Sequence, residues 1–177
     1  MAFDRRHKED MPVLAICYDF DKTLSPDDMQ AQGYIQSVGY DVGQFWKESN
    51  GMAHDNDMDG NLAYMYKMVK EAEGNLVFNK KALAEYGSKV QLFPGVLDWF
   101  ERIKAYGKQH NVIVEHYIIS SGLKEMIEGT EIAKKGAFEK IYASSFFIMS
   151  VVLPYGQHKL LTILARLSFC LELKKAC

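Results

Sequence analysis

The spacing of apolar positions changes twice along this chain. Val13-Leu14-Ala15-Ile16-Cys17-Tyr18 is a continuous apolar run too short for a helix, which predicts a central parallel strand covered on both faces. Residues 25–93 then take a helical period. Met29, Ile35 and Val38, then Val42, Phe45 and Trp46, then Leu62, Met65, Tyr66 and Val69, and finally Leu83 and Tyr86 mark short amphipathic segments, separated by Gly39, Gly51, Gly60 and Gly74. Ser25 or Asp27 is the expected cap of the first, with Pro26 in its opening turn. No strand is predicted in this block.

At Phe93-Pro94-Gly95-Val96 the texture shifts again. Pro94 is expected to open a helix to about Tyr106, with Val96, Leu97, Phe100 and Ile103 on one face and Gly107 as its end. Val112 to Ile119 predicts a second strand, ending in Ser120-Ser121-Gly122 and followed by a short helix from Leu123 to Glu128. Lys140 to Ala143 predicts a third strand. Strands alternating with helices imply an α/β fold with a parallel sheet, the core being residues 1–24 and 94–147, with an α-helical insertion over 25–93. Residues 148–177 keep Ile, Val and Leu but lose the rhythm of strand and turn, and are set apart as an atypical tail.

Composition narrows the classes. A chain of 177 residues, 48% hydrophobic, can bury a full core as one domain or a domain with an insertion. A net charge of -2 and a pI near 6.2 give no bulk attraction to nucleic acid or an anionic membrane. The first eleven residues are charged (Asp4, Arg5, Arg6, Lys8, Glu9, Asp10) without the apolar centre of a leader, and no apolar run reaches the roughly 18 residues of a membrane span. A cytoplasmic protein is expected. Cys17, Cys170 and Cys177 lack metal-ligand spacing, and Cys17 is assigned to core packing. Asp55-Asn56-Asp57-Met58-Asp59-Gly60 is like the start of a calcium loop, but Tyr66 stands where the closing Glu belongs. It is read as a solvated turn capping a helix from about Asn61. His110, His116 and His158 form no triad and are read as surface or packing residues.

The chemistry-bearing stretch is Asp19-Phe20-Asp21-Lys22-Thr23, directly after the first strand. Carboxylates two residues apart on extended chain share a side while Phe20 points away. In an open parallel sheet, ligands bind beyond the carboxyl ends of strands, where the Asp19/Asp21 and Ser120-Ser121-Gly122 turns both fall. Ser120 offers a hydroxyl, and free N–H groups at the start of the following helix, around Gly122, would make an anion site. Two carboxylates beside a phosphate-sized anion need a counter-cation, and Mg²⁺ fits oxygen ligands and phosphate.

Asp19-Phe20-Asp21-Lys22-Thr23, Phe93-Pro94-Gly95-Val96 and Ile118-Ile119-Ser120-Ser121-Gly122 together resemble the haloacid dehalogenase (HAD) phosphatases, particularly the phosphoserine-phosphatase-like branch, over about residues 11–147. The resemblance implies a Rossmann-like core with a helical cap over residues 25–93 that closes on the site. It implies hydrolysis of a small phosphorylated metabolite, with Asp19 as nucleophile and Asp21 as general acid and base. Thr23, Ser120, Ser121 and Gly122 would hold the phosphate, and the Asp19 carboxylate with the Asp21 main-chain carbonyl would bind Mg²⁺. In the cap, Tyr34, Phe45, Trp46, Tyr64 and Met68 are candidates for substrate selection.

The family's late lysine and metal aspartates are missing. Lys159, at the start of an expected helix, is the candidate lysine, while Asp98 is the last aspartate. If Tyr155-Gly156-Gln157 is encoded TAT GGC CAG, reading one nucleotide earlier gives Trp-Pro and can place a lysine where Arg166 stands. The tail is therefore expected to be a frameshifted form of the family's usual continuation. Two other readings of the same fold are a weak or inactive phosphate-binding protein and a phosphotransferase or mutase.

Overall fold

The computed structural model describes the backbone of residues 11–152 and 158–165, with side chains through Phe147. Strand β1 (Val13–Tyr18) leads into a helical stretch: a 3-10 turn (Met29–Ala31), α1 (Tyr34–Ser37), α2 (Val42–Asp55), α3 (Gly60–Ala72) and α4 (Lys80–Gly87). Then come α5 (Val96–Gln109), β2 (Ile113–Leu123), α6 (Lys124–Gly129), α7 (Glu131–Lys134), β3 (Lys140–Val152) and β4 (His158–Ala165). The sheet order is β1-β2-β3-β4, the first three parallel and β4 antiparallel to β3. No described helix is long and apolar enough to cross a membrane.

Polar side chains supply the helix starts. Asp41 accepts from the Gln44 N–H at 3.0 Å, Asp59 from Asn61 and Leu62 at 2.9 and 3.2 Å, and Asn79 from Ala82 at 2.8 Å, each filling an orphan donor. Of the acidic run, Asp55 ends α2 and residues 56–59 form a largely exposed turn whose Asp59 caps α3, as the residue order predicts. Gly51 lies inside α2 and separates nothing, whereas Gly60 stands at the boundary, as the first residue of α3 after the turn from α2.

One buried cluster joins the sheet to the helical stretch: Phe20, Leu24, Met29, Ile35, Met65, Met68, Leu83, Met126 and Phe146 all belong to it. Phe78 meets Phe146 edge to face at 4.9 Å, and the Tyr34 hydroxyl donates to the Met68 carbonyl at 2.7 Å. Lys67, 3% exposed, bonds Glu48 of α2 at 2.7 Å and Glu71 at 3.2 Å, which ties α2 to α3. Helices α4 and α6 touch through two glycines. A β-carbon at Gly87 would overlap the Met126 carbonyl, and one at Gly129 the Ala84 carbonyl.

Four sequence expectations are corrected. Strand β1 is an edge among the described residues, with Val13 43% and Leu14 49% exposed, because a continuous apolar run records a demand for cover without saying which element meets it. Cys17 is consequently exposed rather than core. Gly107 does not end α5. It lies inside the helix, where a β-carbon would meet Val114 Cγ2 at 2.5 Å, so it serves close helix-to-strand packing. The tail has strand structure after all: β3 runs on to Val152 and pairs with β4, Val151 opposite Lys159. Tyr155–Gln157, on which the shifted reading rests, lie outside the described residues.

Candidate active site

The acidic turn is wound on one carbonyl. The N–H groups of Thr23, Leu24 and Ser25 all point at the Phe20 oxygen, at 3.3, 2.9 and 3.1 Å, and Lys22 takes the left-handed conformation at φ 60°. Phe20 is fully buried, which anchors the turn. Asp19 is exposed, with Oδ1 accepting the Phe20 N–H at 2.7 Å. Asp21 turns inward. Its Oδ1 accepts the Met29 N–H at 2.9 Å, so Asp21, and neither Ser25 nor Asp27, serves the start of the 3-10 turn. Ser25 instead donates to the Asp27 carbonyl at 3.1 Å. Burial, opposed by the Met29 N–H, pushes the Asp21 carboxyl up to about 7.

Ser120-Ser121-Gly122 is a bulge in β2. Ile119 pairs with Tyr142 and Leu123 with Ser144, so four steps along β2 match two along β3 and the Ser segment is forced out of the ladder. Adjacent pairing of Tyr18 with Ile118 brings this bulge beside the acidic turn, both at the carboxyl ends of their strands. The contact is direct: a β-carbon at Gly122 would lie 2.9 Å from Asp21 Oδ2 and against Met29.

The expected free N–H groups are spoken for. The Gly122 N–H donates to Ser120 Oγ at 2.9 Å, and the Leu123 N–H points at Met29 Sδ at 3.3 Å. Strand β2 continues through Leu123, so α6 begins only at Lys124. This corrects the prediction of a helix N-terminus at Gly122. What remains at this end of the sheet is the half-buried Ser120 hydroxyl, whose oxygen accepts from Gly122 while its hydrogen is left to donate. Thr23 and Ser121 are exposed nearby in their turns.

The structure thus brings Asp19, Asp21, Thr23, Ser120, Ser121 and Gly122 to one end of the sheet. Lys159 is not among them. It sits in a strand rather than at a helix start, opposite Val151, seven residues beyond Ser144 and therefore about 23 Å along β3 from the bulge. Among the described residues no three His, Cys, Asp or Glu side chains gather to hold a metal. The exposed Asp19 carboxylate and the Asp21 main-chain carbonyl are hard-oxygen donors of the class Mg²⁺ takes alongside several waters and phosphate oxygens.

Of the proposed specificity residues, Tyr34, Phe45, Tyr64 and Met68 are buried, and packing accounts for them. Tyr64 does more: its hydroxyl donates to the Ser121 carbonyl at 2.7 Å, a link that no local pattern encodes. Ser144 Oγ donates to the same carbonyl at 3.1 Å. His116 is buried against Phe100 and bonded through Nδ1 to the Tyr18 hydroxyl at 3.1 Å. Burial, helped by Lys104, lowers its pKa to about 4, so it is a neutral packing residue. A cleft of about 210 Å³ lined by Leu76, Val77, Ala82, Glu85, Tyr86 and Lys89 shares no residue with the acidic turn.

No family model matches the chain. A curated relative, an uncharacterized protein of Borreliella burgdorferi, is 29% identical over 155 residues, covering 81% of this chain and 53% of its own length. The chain thus spans about half of that relative. Among solved structures, the crystal structure of a HAD family hydrolase from Salmonella enterica serovar Typhi superposes with a TM-score of 0.54 at 18% identity, covering 78% of this chain and 43% of that one. The chain has the HAD-like α/β fold.

Proposed function

We propose that this chain is a Mg²⁺-dependent phosphatase of the phosphoserine-phosphatase-like type, acting on a small phosphorylated metabolite in the cytoplasm, with residues 25–93 as the cap. The observation that carries the reading is the contrast between neighbouring carboxylates: Asp19 is exposed, whereas Asp21 is drawn inward and keeps its proton up to about pH 7. One is placed to attack, the other to give a proton. An Asp19 oxygen bonds to phosphorus as the bond to the leaving oxygen breaks, and the Asp21 carboxylic acid passes its proton to that oxygen. Asp21, now a carboxylate, takes a proton from water, and the resulting hydroxide displaces Asp19 from phosphorus. Inorganic phosphate leaves and Asp19 returns as carboxylate. The Ser120 and Thr23 hydroxyls, with Ser121 and Gly122 beside them, would hold phosphate oxygens. Mg²⁺ on Asp19 and the Asp21 carbonyl would supply charge neutralisation.

Para-nitrophenyl phosphate with Mg²⁺ tests this. Turnover by the wild-type chain and at least a 10³-fold loss in Asp19→Asn are expected, whereas equal turnover in both rejects the nucleophile. One observation favours a second reading: among the described residues no third side chain completes the metal site. A phosphate-binding protein with little turnover would bind inorganic phosphate yet release none from substrate. An obligatory phosphotransferase would pass the phosphoryl group to an added acceptor, so release of inorganic phosphate without an acceptor excludes it.

A further inference from the structure

We propose that Tyr64 is a positioning residue that sets the Ser121–Gly122 peptide, so that helix α3 governs the geometry of the phosphate-binding bulge; this rests on the phosphatase reading. The Ser121 carbonyl takes two hydroxyl donors from different directions in the chain, Tyr64 of α3 at 2.7 Å and Ser144 of β3 at 3.1 Å. The peptide that carries it is planar and trans, so its N–H points opposite to its carbonyl. Fixing the oxygen therefore fixes the Gly122 N–H, which donates to Ser120 Oγ at 2.9 Å. That bond occupies an acceptor site on Ser120 and leaves the hydroxyl hydrogen for an anion. The same peptide carries the Gly122 α-carbon that lies against Asp21.

Tyr64 is suited to the task. It is 5% exposed, and Trp46 of α2 packs edge to face on its ring at 5.7 Å, so the hydroxyl is held from behind. A bulge departs from the sheet ladder and depends on such outside donors for its shape. Ser144 alone, with the longer bond, leaves the peptide free to rotate about the chain. Because Tyr64 belongs to the helical stretch and Ser121 to the sheet, any movement of α3 away from the sheet removes the stronger donor and loosens the bulge.

The test compares wild type with Tyr64→Phe, which keeps the ring, using inorganic phosphate binding by calorimetry with Mg²⁺ present and the Gly122 amide signal in a ¹⁵N-labelled sample. Phosphate affinity should fall about five- to tenfold, the size of one lost hydrogen bond, and the Gly122 amide should shift and exchange faster. A lowered Tm with unchanged phosphate affinity and an unmoved Gly122 amide would make Tyr64 a simple tie between α3 and the sheet, overturning the proposal. If wild type neither binds phosphate nor turns over substrate, the phosphatase reading fails, and the Gly122 amide alone decides the positioning role. Should Tyr64→Phe not fold, Ser144→Ala removes the other donor to the same carbonyl. With Tyr64 still bonded, the Gly122 amide and the phosphate affinity should stay close to wild type, and a loss of either would give the positioning role to Ser144 and overturn the proposal.

Discussion

The α-carbon of Gly122 lies against the carboxylate of Asp21: a β-carbon at position 122 would stand 2.9 Å from Asp21 Oδ2. Two segments about a hundred residues apart meet there with no room for a methyl group. Gly122→Ala must push Asp21 or Met29 aside, at a cost of about 1–3 kcal/mol of stability. It should also lower turnover by at least tenfold, since Asp21 is the proposed acid. Thermal unfolding and para-nitrophenyl phosphate hydrolysis check both, and an unaffected variant would mean that the two turns are farther apart in solution.

Asp21 gives a pH dependence with a definite sign. Its folded pKa, about 7, is raised above the ordinary value of 3.8, so between these values the folded state holds a proton that the unfolded state has released. Stability from this group is full below pH 4 and declines as pH rises through 7. Asp21→Asn removes the penalty of a buried charge, and its amide oxygen can still accept from the Met29 N–H. The variant should be inactive but more stable than wild type by roughly 1–3 kcal/mol at pH 8, with little difference at pH 4. Urea titrations at the two pH values measure it, and equal differences at both would refute the raised pKa.

Much of this arrangement is legible in the chain, and the illegible part shares a cause. The Asp19–Thr23 turn and the Ser120–Gly122 segment follow apolar runs that are local and sufficient, so their placement at strand ends can be read directly. What a short stretch cannot show is what lies across from it. The spacing at Ser120 reads equally as a helix start or a bulge, and only pairing with Tyr142 and Ser144 decides for the bulge. Likewise Val13 to Tyr18 has the texture of a covered strand, while strand order, a non-local property, leaves it at the edge. Gly107 reads as a helix stop until Val114 is seen against it. Tyr64 could be picked out as an aromatic of the helical stretch, but its bond to Ser121 spans 57 residues.

The contact between α4 and α6 makes a stability prediction. Gly87 and Gly129 let the two backbones touch, and a methyl group at Gly87 would overlap the Met126 carbonyl, which is backbone and cannot rotate away. Gly87→Ala should destabilise by at least about 2 kcal/mol despite alanine's better helix propensity. Gly51, in the middle of α2 with open space around it, is the control: Gly51→Ala should stabilise by about 0.5–1 kcal/mol. Denaturant midpoints of the two variants should move in opposite directions, and a shared direction would refute the packing.

Lys159 supplies the last prediction. A lysine that contacts phosphate must bring its ammonium within about 3 Å of an oxygen, and its stem reaches only about 6 Å from the backbone. Strand β4 places its backbone opposite Val151, about 23 Å along β3 from Ser144, whereas Ser120 stands in the bulge beside Asp21. Lys159→Ala should therefore change inorganic phosphate affinity by less than about twofold, while Ser120→Ala weakens it about tenfold by removing a donor to a charged ligand. Calorimetric titration of the three proteins at one Mg²⁺ concentration separates the outcomes. A large loss in Lys159→Ala would mean that the phosphate site draws on the β4 segment, and that the pairing of β3 with β4 differs when ligand is bound.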